Sequence, residues 1–378
     1  MITERWGVTA KGEQIYRYTL QNDNGMKVGI INYGAIISSI EVPDKNGVIR
    51  DVVLGYDSLE EYEQGSSSFG ALIGRNANRI SNAECSIEGV VYKLEENQPG
   101  YNLHSGSNNL AVQVWNHDDE AFKDKSGGLE DSHKDESAES IWKAKEIVAD
   151  SVALHYRSED MDEGFPGNME LAVIYSLTEN NTLIIEYFAK TDKTTIINLT
   201  NHSYFNLAGH EHGSIYNQKL RIEAEQYVPV QKGNCIPKGD LAYVEGTPMD
   251  FRIPKNITED ISGDFEQISI SGGYDHCYVL DESDRMGEVE LAAEAVCEDT
   301  GISMTVYTDC PGIQLYTANG LSDEKGKQGA VYNSHCAFCL ETEAFPDSIN
   351  QEKFTKPLIT PQDKYYSMTA YAFANSDE

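Results

Sequence analysis

One run of sixteen residues, 194–209, places an imidazole among hydroxyl and amide side chains: T-T-I-I-N-L-T-N-H-S-Y-F-N-L-A-G. It begins with β-branched residues, which favour a strand, and ends in a glycine turn. At the two-residue period of a strand, one face of the run is polar and carries Asn198, Thr200, His202, Tyr204 and Asn206. The other face is largely apolar. An imidazole beside a phenol and several amides suits binding of a hydroxyl-rich ligand and proton transfer to it.

A carboxylate follows an apolar strand pattern in the segment S-H-C-A-F-C-L-E-T-E-A-F-P-D. Charged residues are seldom buried without a partner or a purpose, so Glu341 is a candidate catalytic group. A salt bridge or an edge-strand charge is the alternative interpretation. Glu343 shares the strand face, and two neighbouring carboxylates raise the pKa of one of them. A lone histidine in a strand, such as His202, is more often a hydrogen-bonded structural group than a catalytic one. A catalytic role is therefore predicted for His202 and Glu341 only as a pair.

Four further motifs carry polar side chains that are suited to binding a ligand. They supply Asn78 and Arg79 in I-G-R-N-A-N-R-I, His104 in Y-N-L-H-S-G, Asp250 in G-T-P-M-D-F-R and Gln314 in P-G-I-Q-L-Y. Each has a plain structural alternative: an ion pair in a surface loop, a turn histidine, a partner for Arg252, or a strand amide. None is specific alone, and their joint occurrence gives the prediction its weight.

Strand patterns dominate the elements that must position these residues. Turns rich in Gly, Asn and Asp separate strands predicted at 27–42 (one or two strands), 51–55, 152–157, 171–178, 182–191, 302–308, 313–318, 337–343 and 365–373. Asn46-Gly47 and Asn180-Asn181 suit hairpin turns. Only the short segments 58–64 and 257–260 suggest helices. The pattern predicts an all-β antiparallel sandwich or barrel in one domain, 1–378, with a polar surface insertion or mobile loop at about 117–139.

The charge of the chain excludes two classes of partner. Asp and Glu number 62 against 29 Lys and Arg, a formal charge of -33, which repels nucleic acid and anionic lipid and weakly favours an unphosphorylated substrate. The first residues lack the apolar region of a signal peptide, and no stretch reaches the ~18 apolar residues of a membrane span. The seven cysteines are scattered, and C-x-x-C at Cys336 and Cys339 lacks the second pair of a zinc site. We therefore expect free thiols and a cytoplasmic protein.

Taken in order, eight motifs resemble those of the aldose 1-epimerases, also called galactose mutarotases. They are F-G-A-L-I-G-R-N-A-N-R-I, N-L-H-S-G, G-F-P-G, N-L-T-N-H-S-Y-F-N-L-A-G, G-T-P-M-D-F-R, G-Y-D-H-C-Y, P-G-I-Q-L-Y-T and F-C-L-E-T-E-A-F-P-D. The resemblance implies a large antiparallel β-sandwich with the sugar in a cleft on one sheet. It implies that His202 is the general acid and Glu341 the general base. It also implies sugar-binding positions at Asn78, Arg79, His104, Tyr204, Asp250 and Gln314, whereas Glu343 and Met249 receive no role.

An acid and a base are sufficient for the chemistry that this resemblance implies. A cyclic hemiacetal opens when its ring oxygen gains a proton and its C1 hydroxyl loses one, and it recloses as the other anomer after rotation about C1–C2. No redox change or group transfer occurs, so we expect no cofactor and no metal, and the sequence contains no dinucleotide or P-loop motif. We expect an aldohexose substrate and a monomer or homodimer.

Three other functions remain open at this point. A hexose-6-phosphate epimerase would need cationic side chains around the phosphate. A non-catalytic sugar-binding protein would bind sugar without accelerating its anomerisation. A glycosidase would use Asp250 and Glu341 as its two carboxylates.

Overall fold

The computed structural model describes residues 1–117, 148–280 and 288–375. Within these ranges there are two α-helices, α1 (Leu59–Gln64) and α2 (Glu266–Ser271), and neither is long and apolar enough to cross a membrane. Short 3₁₀ turns occur at Leu110–Val112, Asp162–Gly164, His210–His212 and Lys327–Gly329. The predicted insertion lies, apart from His117, outside the described residues.

The remaining regular structure of the described ranges is β-strand. The first strands are β1 (Ile2–Val8), β2 (Gln14–Gln21), β3 (Lys27–Ile31), β4 (Ile36–Pro43), β5 (Ile49–Asp51), β6 (Leu72–Ile73), β7 (Arg79–Ser81), β8 (Glu84–Ile87), β9 (Val90–Lys93), β10 (Tyr101–Leu103) and β11 (Asn116–His117). The next are β12 (Val148–Ser158), β13 (Met169–Thr178), β14 (Thr182–Thr191), β15 (Thr195–Ile196), β16 (Thr200–Asn201), β17 (Gln218–Ile222), β18 (Gln226–Tyr227), β19 (Ala242–Tyr243) and β20 (Lys255–Asn256). The last are β21 (Asp275–Val279), β22 (Glu290–Cys297), β23 (Ile302–Thr308), β24 (Gly312–Tyr316), β25 (Glu324–Lys325), β26 (Val331–Tyr332), β27 (Cys339–Glu343), β28 (Leu358–Ile359) and β29 (Tyr365–Asn375).

Three antiparallel sheets make up the sandwich. Sheet A has nine strands in the order β11-β12-β13-β14-β29-β23-β22-β17-β20, so its centre combines the middle of the chain with its last strand. Sheet B contains β1 to β5 in sequence order, and sheet C has the order β19-β18-β21-β24-β27. Among the described residues there are also two-stranded pairs, including β16 with β6 and β10 with β7.

A continuous apolar core lies between sheet A and the other two sheets. It includes Ile37 of sheet B, Ile185 of sheet A and Leu340 of sheet C, all of them buried. Buried phenols connect the layers, since Tyr175 donates to the carbonyl of Ala35 at 2.6 Å and Tyr371 donates to the carbonyl of Leu340 at 3.2 Å. Sheet C is therefore held against sheet A through one face and is left with its other face for a cavity.

The predicted architecture is confirmed, including both hairpin turns. Residues 27–42 form two strands, and the turn after β4 uses Gly47 at φ +78°. Asn181 at φ +56° joins β13 to β14. A left-handed backbone is accessible to Gly and Asn at little cost, which is why these turns were readable from sequence.

Three local predictions were wrong. The predicted strand 51–55 ends at Asp51, and residues beyond it make only an isolated bridge from Val53 to Phe205. The segment 257–260 forms turns, whereas the helix lies later, at α2. The run 194–209 is not one strand, because its own polar side chains bond to nearby backbone. Asn201 accepts from the backbone N–H of Ser203, and Asn206 accepts from that of Ala208.

Candidate active site

Seven of the eight predicted site residues line one cavity of about 200 Å³ on the outer side of sheet C. The cavity wall consists of Ser66, Ser67, Ser68, Asn78, Arg79, Leu103, His104, His202, Tyr204, Asp275, Gln314, Tyr316 and Glu341. These side chains come from segments around β6, β7 and β10, from the broken run after β16, and from strands β21, β24 and β27. The site therefore exists only when distant parts of the chain pack together.

The ring of His202 is fixed by aromatic neighbours. It stacks on Tyr204 with centroids 4.9 Å apart and planes 10° apart, and Phe69 supports Tyr204 edge-on at 4.9 Å. His104 meets the His202 ring edge-on at 5.3 Å. The backbone N–H of His202 donates to the carbonyl of Ala71 at 2.9 Å. The predicted common face of His202 and Tyr204 is thus confirmed. Asn198, however, lines a different cavity of about 560 Å³, and Asn206 donates to backbone carbonyls.

Glu341 lies on the outer face of β27, directly across from Gln314 on β24. Alternate residues of β27 face the core, and Thr342 bonds there to Thr369 of β29. Oε2 of Glu341 lies 3.6 Å from Nε2 of His202. The carboxyl group is 3% exposed, and this oxygen has no hydrogen-bond partner among the described residues. It is thus a buried polar atom that is left for a ligand, as is Oε1 of Gln314.

Burial shifts the two pKa values in opposite directions. Desolvation lowers the pKa of His202 to about 4, and it raises the pKa of Glu341 well above its usual range, with Glu343 and Asp275 adding to the rise. Both shifts favour the neutral forms, in which the carboxyl group holds the proton and the imidazole does not. The two shifts therefore favour a proton on Glu341 over one on His202.

His104 is held in a defined tautomer. Its Nδ1 accepts a hydrogen bond from the backbone N–H of Asn78 at 3.1 Å, so the proton of the neutral ring is on Nε2. Burial lowers the pKa of His104 well below its usual range, and the nearby His202 and Arg79 lower it further. His104 is thus a neutral N–H donor at the cavity wall.

A hydrogen-bonded network covers the other side of the cavity. Arg79 donates through Nη2 to Asp275 at 2.9 Å and through Nη1 to Oδ1 of Asn78 at 3.1 Å. Gln314 donates to Asp275 at 2.6 Å, and Asn78 donates to Oε1 of Glu343 at 2.8 Å. Every member is fixed by another, so donors and acceptors for sugar hydroxyls are already oriented.

The chemistry of these groups argues against a stable metal site. His104, His202 and Glu341 offer ligand atoms within 4.8 Å of one another. A histidine ligates a metal through an unprotonated nitrogen, however, and Nδ1 of His104 is already bonded to the backbone, which leaves the protonated Nε2.

Asp250 is the predicted site residue that the structure does not bring to the cavity. Its carboxylate pairs with Arg252 at 2.8 Å, two residues along the chain, and it does not line this cavity. Asp275 supplies the carboxylate instead. Its motif G-Y-D-H-C-Y was noticed in the sequence, but no role was attached to it. Tyr316 also lines the cavity and was missed, although it ends the motif P-G-I-Q-L-Y that supplies Gln314. The serines 66–68 lie outside all of the motifs.

Known proteins resemble this chain over nearly its whole length. Residues 16–372 match the family model described as Aldose 1-epimerase. Galactose mutarotase from Homo sapiens is 35% identical over 364 residues, which cover 96% of this chain and 95% of that protein. Aldose 1-epimerase from Escherichia coli (strain K12) is 32% identical over 378 residues, with 99% of both chains covered.

Solved structures match over nearly the same length. The GalM/aldose epimerase homologue from C. elegans superposes with a TM-score of 0.80 at 28% identity, covering 95% of this chain and 98% of that one. Galactose 1-epimerase from Lactobacillus acidophilus NCFM, at 24% identity, shares the fold with a TM-score of 0.79, covering 99% of this chain and 98% of that one. On the family match and the full-length relatives, the chain belongs to the aldose 1-epimerase family.

Proposed function

We propose that this protein interconverts the α and β anomers of free aldohexoses such as galactose and glucose. The observation that carries the proposal is the 3.6 Å separation between Nε2 of His202 and Oε2 of Glu341 in a small polar cavity. The ring oxygen and the C1 hydroxyl of a pyranose are bonded to the same carbon. Two groups this close can therefore serve both oxygens at once.

The reaction begins with the transfer of two protons. His202 as imidazolium protonates the ring oxygen, and Glu341 as carboxylate removes the C1 hydroxyl proton, which opens the ring. The ion pair required here differs from the neutral pair by one proton moved from Glu341 to His202. A sugar hydroxyl that donates to the carboxylate and a ring oxygen that accepts from the imidazolium both favour the ion pair.

Reclosure uses the same two residues in exchanged roles. After rotation about C1–C2, Glu341 returns a proton to the aldehyde oxygen while His202 takes one from the C5 hydroxyl. The pair regains its starting state, so the cycle needs no redox partner or group carrier.

The rest of the wall is suited to hold the sugar during this cycle. Asp275 can accept from sugar hydroxyls, while Arg79, Gln314 and the Nε2–H of His104 can donate to them. Arg79 also faces the negative charge that develops when the C1 proton leaves. Tyr204 contributes mainly by supporting His202, since its ring is already stacked on the imidazole.

Polarimetry of freshly dissolved α-galactose or α-glucose tests this function. Wild type should accelerate the decay of optical rotation, and His202→Ala and Glu341→Ala should each lose about 10²- to 10⁴-fold in kcat. His212→Ala, at an exposed histidine outside the cavity, is the control and should match wild type. Wild type no faster than buffer would refute the activity, whereas fully active variants would refute the residue assignment.

A free sugar fits the cavity better than a phosphorylated one. Among the described residues, Arg79 is the lysine or arginine that lines the cavity, and it is already paired with Asp275. Anomerisation of glucose should therefore be much faster than that of glucose 6-phosphate. The glycosidase that would use Asp250 and Glu341 is not supported, because Asp250 does not line the cavity.

We also propose one domain and a cytoplasmic monomer or homodimer. One core includes residues from Tyr18 to Phe373, which supports the single domain. All seven cysteines are free, which supports a reducing compartment. Light scattering of the purified chain tests the oligomeric state, and fractionation of the source cells tests the compartment.

A further inference from the structure

The two ring nitrogens of His202 face two side chains of the same strand. Nε2 lies 3.6 Å from Oε2 of Glu341, and Nδ1 lies 3.5 Å from Sγ of Cys339. Cys339 and Glu341 are two residues apart in β27, so they share its outer face. One strand therefore holds the imidazole at both nitrogens.

Cys339 is a neutral thiol in this position. The side chain is fully buried, and this burial raises the pKa of the thiol well above its usual range, with Glu341 adding to the rise. A neutral thiol sulfur accepts a weak hydrogen bond but does not compete for the proton as a thiolate would.

Proton exchange at Nε2 requires that Nδ1 keep its own proton. When His202 acts as a base, Nε2 must be unprotonated. When His202 acts as an acid, both ring nitrogens are protonated. A neutral imidazole can also carry its proton on Nε2, and that tautomer cannot accept a proton there. An acceptor facing Nδ1 favours the productive tautomer.

We propose that Cys339 is a positioning residue whose sulfur accepts the Nδ1–H hydrogen bond of His202 and thereby keeps Nε2 available for proton exchange. This inference rests on the proposed function. The stacking on Tyr204 fixes the plane of the ring, and the sulfur selects which nitrogen carries the permanent proton.

The chain contains a matched control for this cysteine. Cys336 is also fully buried, lies three residues earlier and packs in the same apolar cluster as Cys339. Of the two thiols, it is that of Cys339 that meets His202. Removing either thiol makes a similar small void, so a difference between the two variants reports the contact with His202.

Steady-state anomerisation kinetics with three variants test the proposal. Cys339→Ala should lower kcat about 10-fold with little change in KM, as loss of a second partner of a catalytic histidine commonly does. Cys339→Ser should stay within about 3-fold of wild type, because a hydroxyl also accepts from Nδ1. Cys336→Ala should stay within about 2-fold. A Cys339→Ala kcat equal to that of Cys336→Ala would overturn the proposal.

Nitrogen NMR of ¹⁵N-histidine-labelled protein gives a readout that is independent of activity. The His202 signals, assigned by their loss in His202→Ala, should show a protonated Nδ1 in wild type and in Cys339→Ser, and a shift towards the Nε2–H tautomer in Cys339→Ala. A wild-type spectrum with the proton on Nε2 would overturn the proposal, even if Cys339→Ala failed to fold. Inactive wild type with a protonated Nδ1 would instead refute the proposed function and leave the positioning role standing.

Discussion

Two aspartate–arginine pairs of nearly equal length occupy very different places in this molecule. Asp250 and Arg252 lie 2.8 Å apart and are two residues apart in sequence, whereas Asp275 and Arg79 lie 2.9 Å apart and are separated by 196 residues. The side chains of the local pair are about one-third exposed. The carboxylate of Asp250 also accepts a hydrogen bond from the backbone N–H of Arg252, so its partners come from the same turn. The distant pair lines the cavity and shares its carboxylate with Gln314.

The comparison distinguishes the carboxylate of Asp250, which stabilises a local turn, from that of Asp275, which forms part of the cavity wall. A pair formed within one turn needs no other part of the fold, so it is present wherever that turn forms. The distant pair exists only when β7 and β21 meet, and it is buried where a ligand can use it. Substitutions at the two aspartates should therefore have very different effects.

Among substitutions in the two aspartate–arginine pairs and their neighbours, the largest effect on activity is expected for Asp275→Asn. The amide cannot accept from both Arg79 and Gln314 as the carboxylate does, and it leaves a poorly exposed guanidinium without its counter-charge. We expect kcat/KM for anomerisation to fall by about 100-fold. Polarimetry over a range of sugar concentrations measures it.

Asp250→Asn is the matched control for this substitution. If both variants lost activity equally, the distinction between the two pairs would be wrong. If Asp275→Asn retained activity within about 3-fold of wild type, the proposed binding role of Asp275 would fail.

A smaller effect, on stability, is expected for Glu343→Gln. Glu343 is linked to the Asp275–Arg79 pair through Asn78, which donates to Glu343 and accepts from Arg79. Burial raises the pKa of Glu343 to about 8, although the hydrogen bond from Asn78 opposes the rise. The folded protein thus keeps a proton that the carboxyl group of the unfolded chain releases near its usual pKa of 4.5. The contribution of this carboxyl group to the free energy of unfolding is fully present below pH 4.5 and is lost as the pH rises through about 8.

Denaturant unfolding at several pH values checks this prediction. The Glu343→Gln variant, which does not titrate here, should gain unfolding free energy relative to wild type between about pH 4.5 and 8 and then level off. Thr342→Ser, at the neighbouring uncharged position of β27, should differ from wild type by the same amount at every pH. A difference independent of pH in Glu343→Gln would show that Glu343 stays ionised when buried.

The smallest effect is expected for Asp250→Asn itself. Its pair with Arg252 is partly exposed, and such pairs contribute little. Activity should stay within about 2-fold of wild type and the melting temperature within about 2 °C. Thermal unfolding and polarimetry measure both. A tenfold loss of activity in Asp250→Asn would contradict this prediction and would show that Asp250 contributes to the site.

Much of the fold could be predicted because strands and hairpins are encoded locally. The two long strands around Asn180-Asn181 were readable from β-branched residues and a turn that accepts positive φ. The run 194–209 was harder. Its alternation correctly put His202 and Tyr204 on one face, but competing side-chain bonds from Asn201 and Asn206 break the strand.

The functional groups of the site could be predicted from the sequence: an imidazole, a carboxyl group after an apolar strand, and a set of amides and arginines in recognisable motifs. Which of these groups meet depends on how the strands pack. The tertiary structure put Asp275 rather than Asp250 at the cavity, and it set Cys339 and Glu341 against the two nitrogens of His202. The physical reason is that these contacts form between strands far apart along the chain. The period of a strand fixes which face a side chain lies on, but not which distant strand it faces.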